Sequence, residues 1–403
     1  SETHWARAFD WRGLELGEVI SFENSAKGFQ QFTRWASELA TNEQKDHVVV
    51  GAEPTGHYWF TLAAHLQNSG VKLVLVNPYH VKRSKELDDN HPSKSDRKDP
   101  KTIAKLVLEG RCIEPYLPEG LYAELRVAMN CRWRILRELT MTKNQIQRWL
   151  KIYFPEHKTV FGNFTGAGSL ALLKVAPMPN DLVKLGPDGI NKIWRQMKLR
   201  AVGKKRAQRA YEAAKNSVGC TEGSTAAHME LNLLLEDYDE KLRQYEKIMV
   251  TVTALCERLP EVAELLKING VGLVTVAGIL AETGDIRRFD SPRQIQKLAG
   301  LAITENSSGK HRGQTEISKR GRARLRAVLF QAAISLAKNN EEFRSLHRYY
   351  TTRANNPLKK KQSIIAMSCK LIRVFYAVTT KGCAYDPVKL LADIHRNQPQ
   401  KAA

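Results

Sequence analysis

Several features are scarce or missing in this sequence, and each absence excludes a class of protein. The six cysteines of the 403-residue chain include no CxxC pair, which argues against a zinc site. No stretch reaches the roughly 18 uninterrupted apolar residues that indicate a membrane span, and no N-terminal signal pattern is present. The scattered cysteines are therefore expected to be free thiols in a reducing cytoplasm.

Acidic residues are outnumbered. Asp and Glu total 42 against 63 Lys and Arg, which gives a net charge of +21. An excess of this size favours a polyanionic partner, because binding releases the partner's condensed counterions. A ribosomal or generally adhesive basic protein is an alternative, and an anionic membrane surface is another. No basic amphipathic anchor or lipidation motif supports the membrane, so nucleic acid is the favoured partner.

The pattern of apolar residues predicts three regions. Residues 1–115 alternate strands and helices, which predicts an α/β domain with a mixed sheet covered by helices. Residues 116–258 contain two long amphipathic helices, predicted at 121–153 and 226–258, around an inserted segment at 156–222 to which no function can be assigned. The two helices predict an antiparallel coiled-coil arm, although two ordinary helices of a bundle would give the same pattern.

The third region, residues 259–403, is predicted to be mainly α-helical. Residues 269–272 read Asn-Gly-Val-Gly and precede an apolar helix at 273–282. This arrangement resembles a helix-hairpin-helix, in which glycines let backbone N–H groups approach a phosphate closely. A plain turn between two helices would look the same.

Three carboxylates form the candidate metal site. Glu53 ends the apolar run at 47–52, which predicts a buried strand, and active sites of α/β sheets form at this edge. Asp96 and Asp99 open a helix at i, i+3 spacing, so both lie on one helix face. Carboxylate oxygens suit Mg²⁺, which polarises a scissile phosphate. Each acid alone could instead be a helix cap or favour the helix dipole.

A segment rich in glycine, hydroxyls and cations occupies residues 306–326. Its hydroxyls, backbone N–H groups and Lys and Arg side chains are suited to phosphate. A serine of this segment could attack a phosphodiester if a base or a metal activates it, and His311 is close in sequence. A flexible basic loop that contacts nucleic acid without chemistry is the alternative.

Short motifs in a fixed order resemble one family. They are Glu-Pro-Thr-Gly-His-Tyr at 53–58, Val-Asn-Pro at 76–78, Ser-Asp-Arg-Lys-Asp at 95–99, Asn-Gly-Val-Gly at 269–272, Ala-Gly-Leu at 299–301, Ser-Gly-Lys-His-Arg-Gly at 308–313 and Ile-Ser-Lys-Arg-Gly at 317–321. Together they resemble the DEDD transposases of the Piv-like insertion-sequence class, which are described as bridge-RNA-guided recombinases. The resemblance covers about residues 1–115 and 260–385 and leaves 156–222 uncovered.

The resemblance implies an RNase H-like (resolvase-like) domain, a coiled coil and a C-terminal transposase domain. It further implies a cytoplasmic bacterial enzyme that recombines DNA through a covalent phosphoserine, with Mg²⁺ held by Glu53, Asp96 and Asp99. Ser308 is then the nucleophile, with Ser307 as the fallback. Donor and target DNA, a guide (bridge) RNA and a homodimer or homotetramer are the implied partners. The residues expected to contact nucleic acid are Lys310, Arg312, Ser318, Lys319, Arg320 and Arg322.

One element of the family pattern is not matched. The family's first Asp ends a first strand, and this strand and its Asp are expected upstream of Ser1. Asp10 is a poor substitute, because it lies about 20 Å along the next strand. The sequence from Ser1 onward is therefore expected to bind metal poorly. Two other functions stay open: a metal-dependent junction nuclease that uses water, and a non-catalytic nucleic-acid-binding scaffold.

Overall fold

Helices make up most of the chain, and its strands form small sheets. The computed structural model describes residues 2–54, 56–88, 99–200, 202–304, 307–308, 311–313 and 315–395; at 307, 308, 311 and 312 it describes the backbone alone. The chain divides into two compact units, Ser1–Leu117 and Pro118–Ala403.

The first unit contains the alternating strands and helices that the sequence predicts. Its elements are β1 (Thr3–Phe9), β2 (Glu15–Glu23), α1 (Ala26–Asn42), β3 (Val49–Ala52), α2 (Trp59–Asn68), β4 (Lys72–Val76), α3 (Pro78–Asp88), α4 (Asp99–Leu108) and β5 (Cys112–Ile113). The hairpin β1–β2 is a two-stranded antiparallel sheet. The mixed sheet is three-stranded, with β4 in its centre, parallel to β3 and antiparallel to β5.

One apolar core joins the hairpin to the three-stranded sheet. Phe22 of β2, Phe29 and Phe32 of α1 and Leu66 of α2 are all buried in it. Strand β4 is buried along most of its length, as its continuous apolar sequence predicts for a central strand.

Helix α4 crosses β3 at very short range. A Cβ atom at Gly51 would meet Val107 Cγ2 at 2.7 Å and Ile103 Cγ2 at 3.1 Å. Residues 99, 103 and 107 recur every four positions and share one face of α4. Asp99 therefore lies on the helix face that packs against β3.

Two 34-residue helices form the frame of the second unit. Helices α5 (Gly120–Tyr153) and α10 (Ser224–Glu257) confirm the two long helices predicted from the sequence, and each is about 50 Å long. Lys241 Nζ lies 2.7 Å from a carboxylate oxygen of Glu138, and Trp149 Nε1 donates to the carbonyl of Ala227 at 2.8 Å. Partners late in α5 thus lie early in α10, so the helices pack antiparallel.

The inserted segment at 156–222 is a folded helical lobe. It contains α6 (His157–Phe161), α7 (Ala167–Val175), α8 (Pro179–Gln196, kinked at Gly186) and α9 (Lys204–Lys215). Its core includes Leu172, Ile190 and Trp194 and continues into the adjoining ends of α5 and α10. Burial lowers the pKa of His157 to about 4, and its Nε2 lies 2.7 Å from Ser169 Oγ.

The C-terminal part packs against the other end of the helical pair. Its elements are α11 (Pro260–Leu266), α12 (Leu273–Thr283), a 3₁₀ turn (Ile286–Arg288), α13 (Pro292–Leu298), β6 (Ile303–Thr304), β7 (Ser307–Ser308), β8 (His311–Arg312), β9 (Glu316–Ile317), α14 (Ala323–Asn339), α15 (Glu341–Thr352), α16 (Lys360–Lys381) and α17 (Pro387–His395). Met129 of α5 and Val252 of α10 belong to the core of these helices.

Among the described residues, one helix is long and apolar enough to cross a membrane. This is α16, and 44% of its apolar stretch is buried. Met367, Leu371 and Phe375 of α16 are in the core of the second unit. The core helix of a globular protein passes the same test of length and composition.

Substituting Gly51→Ala should destabilise the first unit by about 1 to 3 kcal/mol, because the added methyl group would push α4 away from β3. Denaturant unfolding measures the change. The double variant Gly51→Ala/Val107→Ala removes the closest clashing methyl and should cost less than the sum of the two single variants. Additive costs would show that the contact at Gly51 does not limit the approach of α4.

Candidate functional site

Glu53 lies directly after β3, at the carboxyl end of the parallel pair β3–β4. Its side chain is half-buried. The carboxyl ends of neighbouring parallel strands meet at one edge of a sheet, which is where ligands of α/β folds bind. The structure therefore places this predicted metal ligand at the expected edge.

Asp99 is the first residue of α4, where a carboxylate interacts favourably with the helix dipole. It forms a salt bridge with Lys85 of α3. Asp96, its predicted partner, lies outside the described residues. Within the part of the chain that the structure describes, no group of three or more His, Cys, Asp or Glu side chains is arranged to hold a metal. The three predicted ligands stay a prediction.

Asp10 has a structural role in the β1–β2 turn. Its Oδ1 accepts hydrogen bonds from the backbone N–H groups of Arg12 and Leu14, both at 2.9 Å, and its Oδ2 accepts from Arg12 Nε at 2.8 Å. Desolvation raises the pKa of this buried carboxyl, but these hydrogen bonds outweigh it and lower the pKa below its ordinary value. A carboxylate so fully bonded holds the turn together.

The two candidate serines lie on a β-hairpin. Ser307 pairs with Arg312 and Ser308 pairs with His311 in the antiparallel ladder β7–β8. The backbone register therefore sets His311 opposite Ser308, the preferred nucleophile.

A second ladder lies nearer the base of this segment. Strand β6 pairs with β9, with Ile303 opposite Ile317, and the carbonyls of Gly300 and Ala302 accept from the N–H groups of Lys319 and Ser318. The segments before and after the serines are therefore held together by their backbones.

Two glycines allow this close backbone contact. Gly300 has a φ of +68°, and a Cβ there would meet the carbonyl carbon of Lys319 at 2.9 Å. A Cβ at Gly321 would meet the carbonyl oxygen of Leu298 at 2.4 Å. Arg326 joins the two segments that flank the strands, since its Nη1 donates to the carbonyls of Ala299 at 3.0 Å and Lys319 at 3.2 Å. Side chains larger than hydrogen at either glycine would separate them.

The predicted nucleic-acid contacts fall into three groups. Lys319 and Arg320 are exposed, and Ser318 is half-buried. Arg322 forms a salt bridge to Glu282 of α12 at 3.2 Å. The side chain of Arg312 and all of Lys310 lie outside the described residues. Lys319 and Arg320 are the described cations of this set that are presented to solvent.

Polar contacts tie this region to α5, and no sequence pattern indicated them. Arg126 of α5 donates through Nε to the carbonyl of Ala281 at 2.8 Å and through Nη2 to that of Glu282 at 3.2 Å. Arg324 Nη1 donates to Asn130 Oδ1 of α5. An arginine in a basic segment looks the same in sequence whether it binds phosphate or the protein itself.

The Gly-Val-Gly turn between α11 and α12 is fixed by α14 and its cap. Ser335 Oγ donates to the carbonyl of Gly270 at 3.1 Å, and Asn340 Nδ2 donates to the carbonyl of Asn269 at 3.0 Å. The turn joins α11 to α12 through Gly270, whose φ is +89°. A role in phosphate binding stays a prediction.

Two family models match the chain at the regions described above. The DEDD transposase model of IS110 matches residues 1–155, and the model of the transposase IS116/IS110/IS902 family matches residues 262–348. The first contains Glu53, Asp96 and Asp99, and the second contains Ser307 and Ser308.

Similar proteins come from several bacteria. The chain is 22% identical to the insertion element IS116 uncharacterized 44.8 kDa protein of Streptomyces clavuligerus, over 95% of this chain and 94% of that protein. It is 32% identical to the transposase for insertion sequence element IS1111A of Coxiella burnetii, over 35% of this chain and 40% of that protein. It is 29% identical to the pilin gene-inverting protein of Moraxella bovis, over 30% and 38%.

Identity above 30% is confined to part of the chain. The match to putative transposase y4rJ of Sinorhizobium fredii is 35% identical and spans 32% of both proteins. The assignment of the chain to a family rests on the two family models, which match residues 1–155 and 262–348 and together cover more than half of the chain. The chain belongs to the IS116/IS110/IS902 family of transposases, with a DEDD domain of the IS110 type at its N-terminal end.

Proposed function

We propose that the protein is an RNA-guided DNA recombinase that cuts and rejoins DNA through a covalent bond between a serine and a DNA phosphate. The observation that carries this proposal is the hairpin bearing Ser307 and Ser308. Its base is held by backbone contacts between residues 298–302 and 318–322, which are so close that only glycine fits at positions 300 and 321. A nucleophile needs a fixed position, and this base supplies a rigid support for it.

The proposed cleavage step exchanges one ester for another. Ser308 Oγ loses its proton and attacks the phosphorus, and the bond from phosphorus to the 3′-oxygen breaks. The departing 3′-oxygen takes up a proton and becomes a 3′-hydroxyl, while the phosphate stays esterified to the serine. A 3′-hydroxyl from another strand can then attack the phosphoserine and release the serine unchanged. Since the number of ester bonds is constant, rejoining needs no energy source.

Mg²⁺ is the proposed cofactor, with Glu53, Asp96 and Asp99 as its ligands. The chemistry of these donors fits, because a hard cation prefers carboxylate oxygens. Asp99 already has a cationic partner, Lys85, so this position accommodates positive charge. When bound, the metal supplies charge that polarises a phosphate and lowers the pKa of an attacking hydroxyl.

The proposed partners are donor DNA, target DNA, a guide RNA and further copies of the chain, as a dimer or tetramer. A net charge of +21 and the exposed Lys319 and Arg320 favour binding of nucleic-acid backbones. The name of the Moraxella relative denotes inversion of a gene, which requires rejoining as well as cutting. That favours recombination over hydrolysis. Family members are normally soluble and cytoplasmic, and we propose the same for this chain.

Replacing Ser308 by Ala should abolish the covalent protein–DNA adduct, because the variant lacks the attacking oxygen. Labelled DNA incubated with protein, guide RNA and Mg²⁺ and run on a denaturing gel shows the adduct as a shifted band. Ser307→Ala is the matched control and should keep it.

Loss of the adduct in Ser307→Ala but not in Ser308→Ala would show that Ser307 is the nucleophile. Free nicked DNA without adduct in the unsubstituted protein, at a rate that neither substitution changes, would instead show that water is the nucleophile and that the protein is a nuclease.

The chain is expected to bind Mg²⁺ weakly, and replacing Glu53 by Gln, or Asp99 by Asn, should weaken that binding at least about a further tenfold, since even outer-shell partners of metal sites contribute that much. Titration calorimetry with Mg²⁺ alone measures it. Asp10→Asn is the control: it removes an equal charge from the hairpin turn and should lower the unfolding midpoint while leaving the affinity for Mg²⁺ unchanged. Loss of Mg²⁺ binding in Asp10→Asn alone would refute the ligand assignment.

A further inference from the structure

The helical lobe carries a dense run of positive charge. Residues 192–209 contain eight Lys and Arg and no Asp or Glu. The run covers the end of α8, the connection to α9 and the first turns of α9. We call it the basic surface of the lobe. Its cations are Lys192, Arg195, Lys198, Arg200, Lys204, Lys205, Arg206 and Arg209.

The backbone beneath these cations is fixed by packing. Arg195 Nη1 and Nη2 donate to the carbonyls of Leu199 at 3.3 Å and Val202 at 2.9 Å. Val202 is buried, and its Cγ1 would lie only 2.7 Å from a Cβ at Gly168 of α7. Trp194 Nε1 donates to the carbonyl of Gly168 at 2.8 Å. The described residues of the connection between α8 and α9, on either side of position 201, are therefore held in place by these contacts.

Three of the eight cations have partners within the lobe. Arg195 holds the connection described above, Arg206 lies over the ring of Phe161 at 5.6 Å, and Arg209 Nη2 donates to the carbonyl of Thr159 at 2.9 Å. The other five are exposed. In the part of the chain that the structure describes, none of these five has a carboxylate at salt-bridge distance. They are Lys192, Lys198, Arg200, Lys204 and Lys205.

Two lysines elsewhere in the second unit have the carboxylate partners that these five lack. Lys174 lies 2.5 Å from Asp239, and Lys241 lies 2.7 Å from Glu138. Like charges gathered on a rigid surface repel one another and destabilise the folded state. A polyanion bound at this surface would relieve that repulsion.

The composition of the surface selects among polyanions. Its one aromatic residue, Trp194, is fully buried, and the neighbouring ring of Phe161 is half-buried beneath Arg206, so no exposed ring is presented for stacking on unpaired bases, as single-strand binding uses. An amphipathic membrane-binding helix needs a large apolar face beside its cations, and Met197 is the one large exposed apolar side chain here. Phosphates of a duplex are read by charge alone.

We propose that the basic surface of the lobe binds the phosphodiester backbone of duplex nucleic acid, independently of sequence. Arg200 and Arg206 are the two cations among the residues that line a cavity of about 390 Å³, together with Phe161 and Asn163, so a backbone phosphate at its mouth would lie near positive charge. The duplex is DNA or a paired stretch of RNA, since both present the same phosphates. This surface acts outside the serine hairpin and the carboxylates, and it provides affinity rather than chemistry.

The test is a charge-neutralised variant, Lys198→Gln/Arg200→Gln/Lys204→Gln/Lys205→Gln. Binding of a short random-sequence DNA duplex, and of an RNA duplex of the same sequence, is measured over a range of salt concentrations. Each phosphate that the variant no longer neutralises should reduce the slope of log K against log salt by about 0.9 for DNA, so the expected reduction is roughly 2 to 4. Thermal unfolding confirms that the variant is folded.

The matched control is Lys158→Gln/Lys174→Gln/Lys184→Gln/Lys215→Gln. These four lysines are exposed on the same lobe, and their replacement changes the net charge equally. A smaller slope in the first variant alone supports the proposal, and the duplex that shows it identifies the source as DNA, RNA or both. Equal reductions in both variants, or none with either duplex, would refute it. Because binding is measured without cleavage, this result is independent of the Ser308 test.

Discussion

The antiparallel contact between α5 and α10 is the constraint on which the second unit depends. The beginning of α5 and the end of α10 belong to the core formed by α11 to α17, through Met129 and Val252. The end of α5 and the beginning of α10 belong to the core of the helical lobe, through Trp149 and Leu231. Between them, Arg132 lies over the ring of Tyr245 at 5.5 Å. This pair of helices is the frame that the two cores share, so a change in their register would disturb both.

The same frame reaches the serine hairpin through polar contacts. Arg126 and Asn130 of α5 bond to the end of α12 and to Arg324, and Glu282 holds Arg322, the cap of α14. The segments that flank the hairpin are therefore fixed to α5 by directional bonds, and Arg326 fixes them to each other through the carbonyls of Ala299 and Lys319. Rigid support of this kind is what the proposed serine nucleophile would require in order to attack in one geometry.

Much of the fold follows from the sequence, and the reasons are local. Helical spacing of apolar residues predicted both long helices to within two residues, and the alternation of strands and helices predicted for the N-terminal region is present in the first unit. The split between hairpin and three-stranded sheet was not predictable, because pairing between strands distant in sequence leaves no periodic signal. The helical content of 156–222 was hidden by its glycines and prolines, which here form kinks and turns, as at Gly186.

The candidate site was only partly predictable for a related reason. Sequence motifs identified Glu53 and the two serines as candidates. The structure places Glu53 at the end of β3 and the serines in the β7–β8 ladder. The roles of Arg326 and Glu282 depend on contacts between residues tens of positions apart, such as Arg322 with Glu282. Sequence shows that an arginine is charged, but its partner is decided by packing. Gly300 and Gly321 belong to sequence motifs, but only the structure shows that glycine is needed there because the two backbones are in close contact.

The helical lobe enters and leaves the helical pair at one point. The N–H of Cys220 donates to the carbonyl of Ile152 at 2.9 Å, and Glu156 accepts hydrogen bonds from Ser217 Oγ at 2.6 Å and the N–H of Val218 at 3.0 Å. The inserted lobe begins and ends at neighbouring residues, so it only lengthens the loop that connects α5 to α10. The entropic cost of closing a loop grows only slowly with the length of the loop. A lobe attached in this way can be inserted, removed or replaced without changing how the two helices that carry it pack together.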